Sequence, residues 1–100
     1  MATILTMTVK TDLGIKNNKR DAEIEMAIES AKIQMAMRGV TVIEEAYPTT
    51  VNCVILFCRY FFNFQGEADR YFQAFEFLAN AMAKSSEYGE DAVPPDPEGG

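Results

Sequence analysis

The hundred-residue sequence predicts an all-α fold, a small bundle of about four helices with a C-terminal antiparallel helical hairpin and a disordered acidic tail. Two stretches, Asp21 to Arg38 and Glu67 to Ala83, repeat apolar residues at helical spacing. A third, Val51 to Phe64, is apolar for about fourteen residues, longer than the five or six that a strand usually spans. Gly39, Pro48 and Gly66 stand between these stretches as breaks.

The first segment, Thr3 to Leu13, fits two patterns. Leu5, Val9 and Leu13 recur every fourth residue as on a helix, whereas Leu5, Met7 and Val9 alternate with Thr6, Thr8 and Lys10 as on a strand. Gly14 ends the segment in either case, and Asn17 and Asn18 suit a turn or helix cap. The second segment has Asp21, Glu23 and Glu25 at its positive N-terminal end and Gly39 as its stop. Its core stripe is Ile24, Ala27, Ile28, Ala31 and Met35. A second stripe, Met26, Ile33 and Met37, lies on another face and suits contact with a neighbouring subunit.

Gly39 to Thr50 is a connection in which Pro48 closes the preceding segment and Thr49 or Thr50 caps the next helix. The Val, Ile, Phe, Tyr and Cys content of 51–64 favours a strand, but its length favours a helix with the stripe Val51, Val54, Ile55, Cys58, Phe61 and Phe62. We read it as a helix. The last helix turns Ala68, Tyr71, Phe72, Phe75, Leu78, Ala79 and Met82 inward, and the short joint at Gln65 and Gly66 implies an antiparallel partner. Residues 1–88 thus form one helical domain. Residues 89–100, rich in Pro, Gly and acid, have nothing to bury and are expected to be disordered.

Composition excludes several classes of function. Net charge is -6, of which the five acids beyond Lys84 supply most, leaving nine basic against ten acidic residues before them. A nearly neutral body lacks the basic footprint of a nucleic-acid binder, and Lys16, Lys19 and Arg20, interleaved with Asn, read as a solvated loop. The N-terminus has neither a basic n-region nor an adequate apolar core for a signal peptide, and the apolar run 51–64 falls short of the twenty or so residues of a membrane span. A soluble intracellular protein is therefore expected. Cys53 and Cys58, turned about 140° apart on a helix, cannot readily pair or share a metal and read as buried apolar groups.

There is no histidine to act as a base, no glycine-rich phosphate loop and no metal-ligand spacing. The carboxylate pairs Glu44 with Glu45 and Glu23 with Glu25 read as solvated charge. No enzyme and no cofactor is expected. The remaining signal is aromatic: Phe57, Tyr60, Phe64, Phe77 and Tyr88 lie off the two main stripes and either close the core over the second helix or form an interaction surface. Met26, Ile33, Met37, Phe57, Tyr60, Phe64 and Tyr88 are the candidate subunit or partner interface.

The order of these elements, TVKTDLGIKNNKRDAEIEMAIESAKIQMAMRGV followed by LFCRYFFNFQGEADRYFQAFEFLANAMAKSSEYG, resembles the small head-tail connector proteins of tailed bacteriophages, also called head completion proteins or DNA-packaging adaptors. The resemblance covers Leu5 to Gly89 and rests on a segment ending in LGI, a helix of the type DAEIEMAIESAK, a GV step, and a final helix carrying RYFQAFEFL. It implies an all-helical fold, with the first segment helical. It further implies a cyclic homo-oligomer, commonly a dodecamer, docked on the portal protein at the virion neck after assembly in the host cytoplasm. Such a ring extends the DNA channel, helps to retain the packaged genome and offers a platform to a stopper or tail-completion protein. DNA passes through without sequence-specific binding, and no membrane is involved. The competing expectation is a small helical regulatory or inhibitory protein that acts by protein binding and needs no cyclic symmetry.

Overall fold

A computed structural model of the chain describes residues 4–85 and 87–89. The described residues form four α-helices: α1 (Ile4–Leu13), α2 (Asp21–Met37), α3 (Pro48–Phe61) and α4 (Ala68–Ala83), with one 3-10 turn, Phe64–Gly66, between the last two. The expectation of an all-α bundle holds, and the first segment takes the helical option. Leu5, Thr6 and Val9 are buried together, which a spacing of one and four achieves on a helix and an alternating strand does not.

Helix α2 buries Ile24, Ala27, Ile28, Ala31 and Met35, the five residues of its expected core stripe. It ends at Gly39, whose φ of +101° is open to glycine at little cost. There the Val40 and Gly39 amides donate to the Met35 and Ala36 carbonyls at 3.1 and 3.0 Å, which closes the last turn. Val40 and Val42 then enter the core.

Helix α3 departs from the sequence expectation at both ends and in its rotation. Pro48 opens the helix instead of closing the preceding segment, because its fixed φ and missing N–H suit the first helical turn. Thr50 is consequently not a cap but a fully buried residue of the first turn. The helix stops at Phe61, and Asn63 and Gln65 take left-handed φ values of 49° and 55° in the joint. The buried face is Thr50, Cys53, Val54, Phe57 and Cys58, rotated by roughly 75° from the expected stripe. Val51 and Ile55 are left half-buried and Phe61 is exposed. The reason is position: α3 touches each of the other three helices, so it is apolar around most of its girth and its periodicity does not single out one face.

Helix α4 buries Phe75, Ala79 and Met82 and half-buries Tyr71, Phe72 and Leu78, all from its expected inward face. It lies along α3 through ring contacts: Phe57 meets Phe75 at 5.1 Å and Tyr60 meets Phe72 at 4.7 Å between centroids. A step forward along α3 is thus a step back along α4. Asn63 Oδ1 accepts the Ala68 N–H at 3.2 Å and so satisfies one free donor at the start of α4.

Arginines tie the helices to one another. Arg59 grips Asp12 of α1 with Nε and Nη2 at 2.8 and 2.5 Å, and its guanidinium also lies over Tyr71 and Phe64. Arg38, just past α2, holds the Gln34 side chain at 2.8 Å and lies over Phe75 of α4. At the far end, the Thr41 and Val42 amides both donate to the Tyr88 carbonyl, at 2.8 and 3.2 Å, and the Thr41 hydroxyl donates to the Gly89 carbonyl. A Cβ at Gly89 would collide with the Ala83 carbonyl oxygen, so only glycine fits this strap. Gly89 therefore belongs to the packed domain and not to the tail. The disorder expected of the remaining tail, 90–100, lies outside the described residues.

Candidate interaction surface

The seven residues that the sequence nominates separate into two groups. Met26, Ile33 and Met37 stand on the outer face of α2, with 62, 58 and 73% of their surfaces exposed. At about 100° per residue they fall opposite the buried stripe, together with the exposed Ala22 and Ala36. Glu23 and Glu29 are the exposed charges that border them. These three long side chains receive no cover from the described remainder of the domain.

The four aromatic nominees are covered to a greater extent, Phe57 fully and Tyr60, Phe64 and Tyr88 in part. Phe57 is 6% exposed and lies in the core between Phe75 and Tyr60, so its assignment to an interface is corrected. It appeared to lie off the stripe only because the stripe of α3 was placed about 75° away. Tyr60 is half-buried against Phe57 and Phe72, and Phe64 packs on Tyr71 beneath the Arg59 guanidinium. Tyr88 meets the edge of Tyr47 at 5.9 Å beside the strap at Thr41. Of the two options open for the aromatics, closure of the core prevails for Phe57; Tyr60 and Tyr88 pack half-buried against the core, and Phe64 lies half-buried in the joint outside it.

Phe77 takes the other option. It is 79% exposed on the face of α4 opposite Phe75, and the surface holds two more large apolar side chains, Met7 of α1 and Phe61 at the end of α3. Phe77 was left off the candidate interface, although the periodicity of the last helix places it outward from the inward face. The outward position of Met7 was not legible, because its segment fitted both a helix and a strand. Arg70 and Lys84 flank Phe77 at seven residues on either side, and both are exposed.

The polar parts of the surface hold one another. Lys10 meets Asp21 and Asn18, both at 2.8 Å. Lys32 lies between Glu45 at 3.1 Å and Glu29 at 3.7 Å, at the mouth of a cleft of about 150 Å³ that Thr6 and Ile28 line. In the basic loop, Lys16 and Lys19 are exposed, and the Arg20 guanidinium covers the Phe62 ring at 4.6 Å. Among the described residues no cluster of three or more His, Cys, Asp or Glu is placed to hold a metal ion, and no helix is long and apolar enough to cross a membrane.

Both cysteines are free and buried. Burial pushes each thiol up to about 12; the positive charge of Arg38 pulls Cys53 the other way, and the negative charge of Asp12 adds to the rise at Cys58. Near neutral pH both are protonated and unreactive, as small core groups. The surface can therefore offer apolar and charged contacts to another macromolecule. Comparison with family models, with curated protein sequences and with solved structures returned no match.

Proposed function

We propose that this chain is a structural virion protein, a head-tail connector or adaptor. It assembles as a ring beneath the portal, extends the DNA channel, helps to retain packaged DNA, and receives a stopper or tail protein. The observation that carries the reading is the line of Met26, Ile33 and Met37 along the outer face of α2. Three long apolar side chains in a row on a domain of this size favour a macromolecular partner. The sequence resemblance over Leu5 to Gly89 supplies the identity of that partner assembly, and the all-helical fold agrees with it.

Light scattering on the purified chain, alone and mixed with the portal protein of its own phage, tests the proposal. A cyclic oligomer, or comigration with the portal, is expected. A chain that stays monomeric at every concentration and passes the portal by would refute the connector role and favour the regulatory protein.

A further inference from the structure

We infer that the outer face of α2 and the outer face of α4 are the two halves of one head-to-tail contact, in which Phe77 of one copy enters the α2 stripe of the next. The contact would close the proposed ring, and so the inference rests on that reading. Both faces carry large exposed apolar side chains, yet they belong to different helices and each points away from the shared core. Neither can cover the other within one molecule. Two unlike faces that fit each other across copies generate a ring or filament, whereas one self-complementary face generates a closed pair.

The fit is specific in shape. On α2, Met26, Glu29, Ser30 and Ile33 are spaced as the four corners of a hole that receives a side chain from a facing helix. Its long apolar corners are Met26 and Ile33, and the small Ser30 leaves room between them. Phe77 projects as a single aromatic knob from a face whose neighbours Gln73, Asn80 and Ala81 are polar or small.

The fit extends to charge. Arg70 and Lys84 lie seven residues before and after Phe77, about 10 Å along the axis on each side. With the helices roughly aligned and Phe77 seated between Met26 and Ile33, one cation falls beside the exposed Glu23. The other falls at the carbonyl end of α2, where the helix dipole is negative. Either direction of the α4 axis satisfies both. Within one molecule these charges are held only by exposed pairs, Arg20 with Glu23 and Arg70 with Glu67, each at 3.4 Å, which contribute little and can exchange partners, while Lys32 is engaged by Glu45.

The test uses two full-length variants, each damaged on one face. Met26→Glu with Ile33→Glu removes the α2 half and keeps Phe77; Phe77→Glu does the reverse. All three positions are exposed, and circular dichroism verifies that both variants are folded. Sedimentation at concentrations up to about 1 mM, where weak contacts of this kind become populated, should show self-association of the wild type and monomers of each variant. An equimolar mixture should form a discrete 1:1 pair, twice the 11.2 kDa of one chain, because it retains one intact interface and cannot extend further. Pairing of Phe77→Glu by itself would overturn the inference in favour of an α2-to-α2 dimer, and a mixture that stays monomeric, or a wild type that does, would overturn it outright. Portal binding separates the two levels. A 1:1 pair without portal binding keeps the contact and refutes the virion role, whereas portal binding by variants whose mixture stays monomeric keeps the role and refutes the contact.

Discussion

The seam between α3 and α4 and the outer face of α2 are both apolar, yet they differ in what satisfies them. In the seam, Phe57, Tyr60, Phe72 and Phe75 meet ring to ring at 4.7 to 6.2 Å, and the Arg38 guanidinium lies over Phe75. On α2, Met26, Ile33 and Met37 meet nothing in the described domain that removes them from water. The denser cluster is thus the structural one and the sparser line is the one available for recognition. Aromatic content alone is a poor guide to an interface in a domain this small, because a limited core needs its largest side chains inside.

The contrast predicts a graded set of outcomes. The largest effect belongs to the seam. Phe75→Ala should cost about 3–5 kcal/mol, enough to unfold a marginal domain, since it removes a fully buried ring and leaves a cavity at the meeting of α3 and α4. Urea titration followed by circular dichroism reads this directly, and a loss below about 1 kcal/mol would mean that the seam is not the core.

The buried thiols beside the seam add a pH dependence whose sign is set by their direction of shift. Below the ordinary thiol value of 9.0, folded and unfolded chains both keep the two protons, and the cysteines contribute no pH dependence. Between 9 and about 12 only the unfolded chain releases them, so stability should fall as pH rises, by up to about 1.4 kcal/mol per pH unit for each cysteine. Denaturant midpoints collected from pH 8 to 10.5 should therefore drop more steeply for the wild type than for the Cys53→Ala, Cys58→Ala double variant. Parallel pH profiles would show that other groups govern the alkaline limb.

A smaller gain is expected at Thr50, whose buried hydroxyl finds no partner among the described residues. Thr50→Val keeps the shape and removes the unsatisfied group, which should raise stability by about 1 kcal/mol, readable as a higher melting temperature. A decrease would reveal that the hydroxyl is satisfied in solution. The smallest effect should come from the outer stripe itself. Met26→Ser and Ile33→Ser should each change the stability of the monomeric domain by less than about 0.5 kcal/mol, because these side chains leave little water-free contact to lose. A loss comparable to that at Phe75 would place the stripe in the core and erase the comparison.

Legibility in the sequence divided along the same line. The buried stripes of α2 and α4 were readable because each helix meets the core along one side, so its apolar residues return with a period of 3.6. The stripe Met26, Ile33 and Met37 was readable for the same reason, as a second line on a helix whose first was already assigned. For α3, covered from several directions, the apolar residues run around the girth. Phe57 was consequently taken for a surface residue, and Phe61 for a core one, when the reverse holds. The exposure of Met7 depended on settling whether its segment was helix or strand.

By itself the sequence determined the helices α2 and α4, the breaks at Gly39 and Gly66, the burial of two isolated cysteines and the outward line on α2, because these depend on neighbours within a few residues. Tertiary structure alone decided the rotation of α3, the grip of Arg59 on Asp12, and the strap from Thr41 to Gly89. Each of these joins residues far apart in the chain or arises from competition among several packed faces, and local periodicity carries no information about which distant side chain fills a given space.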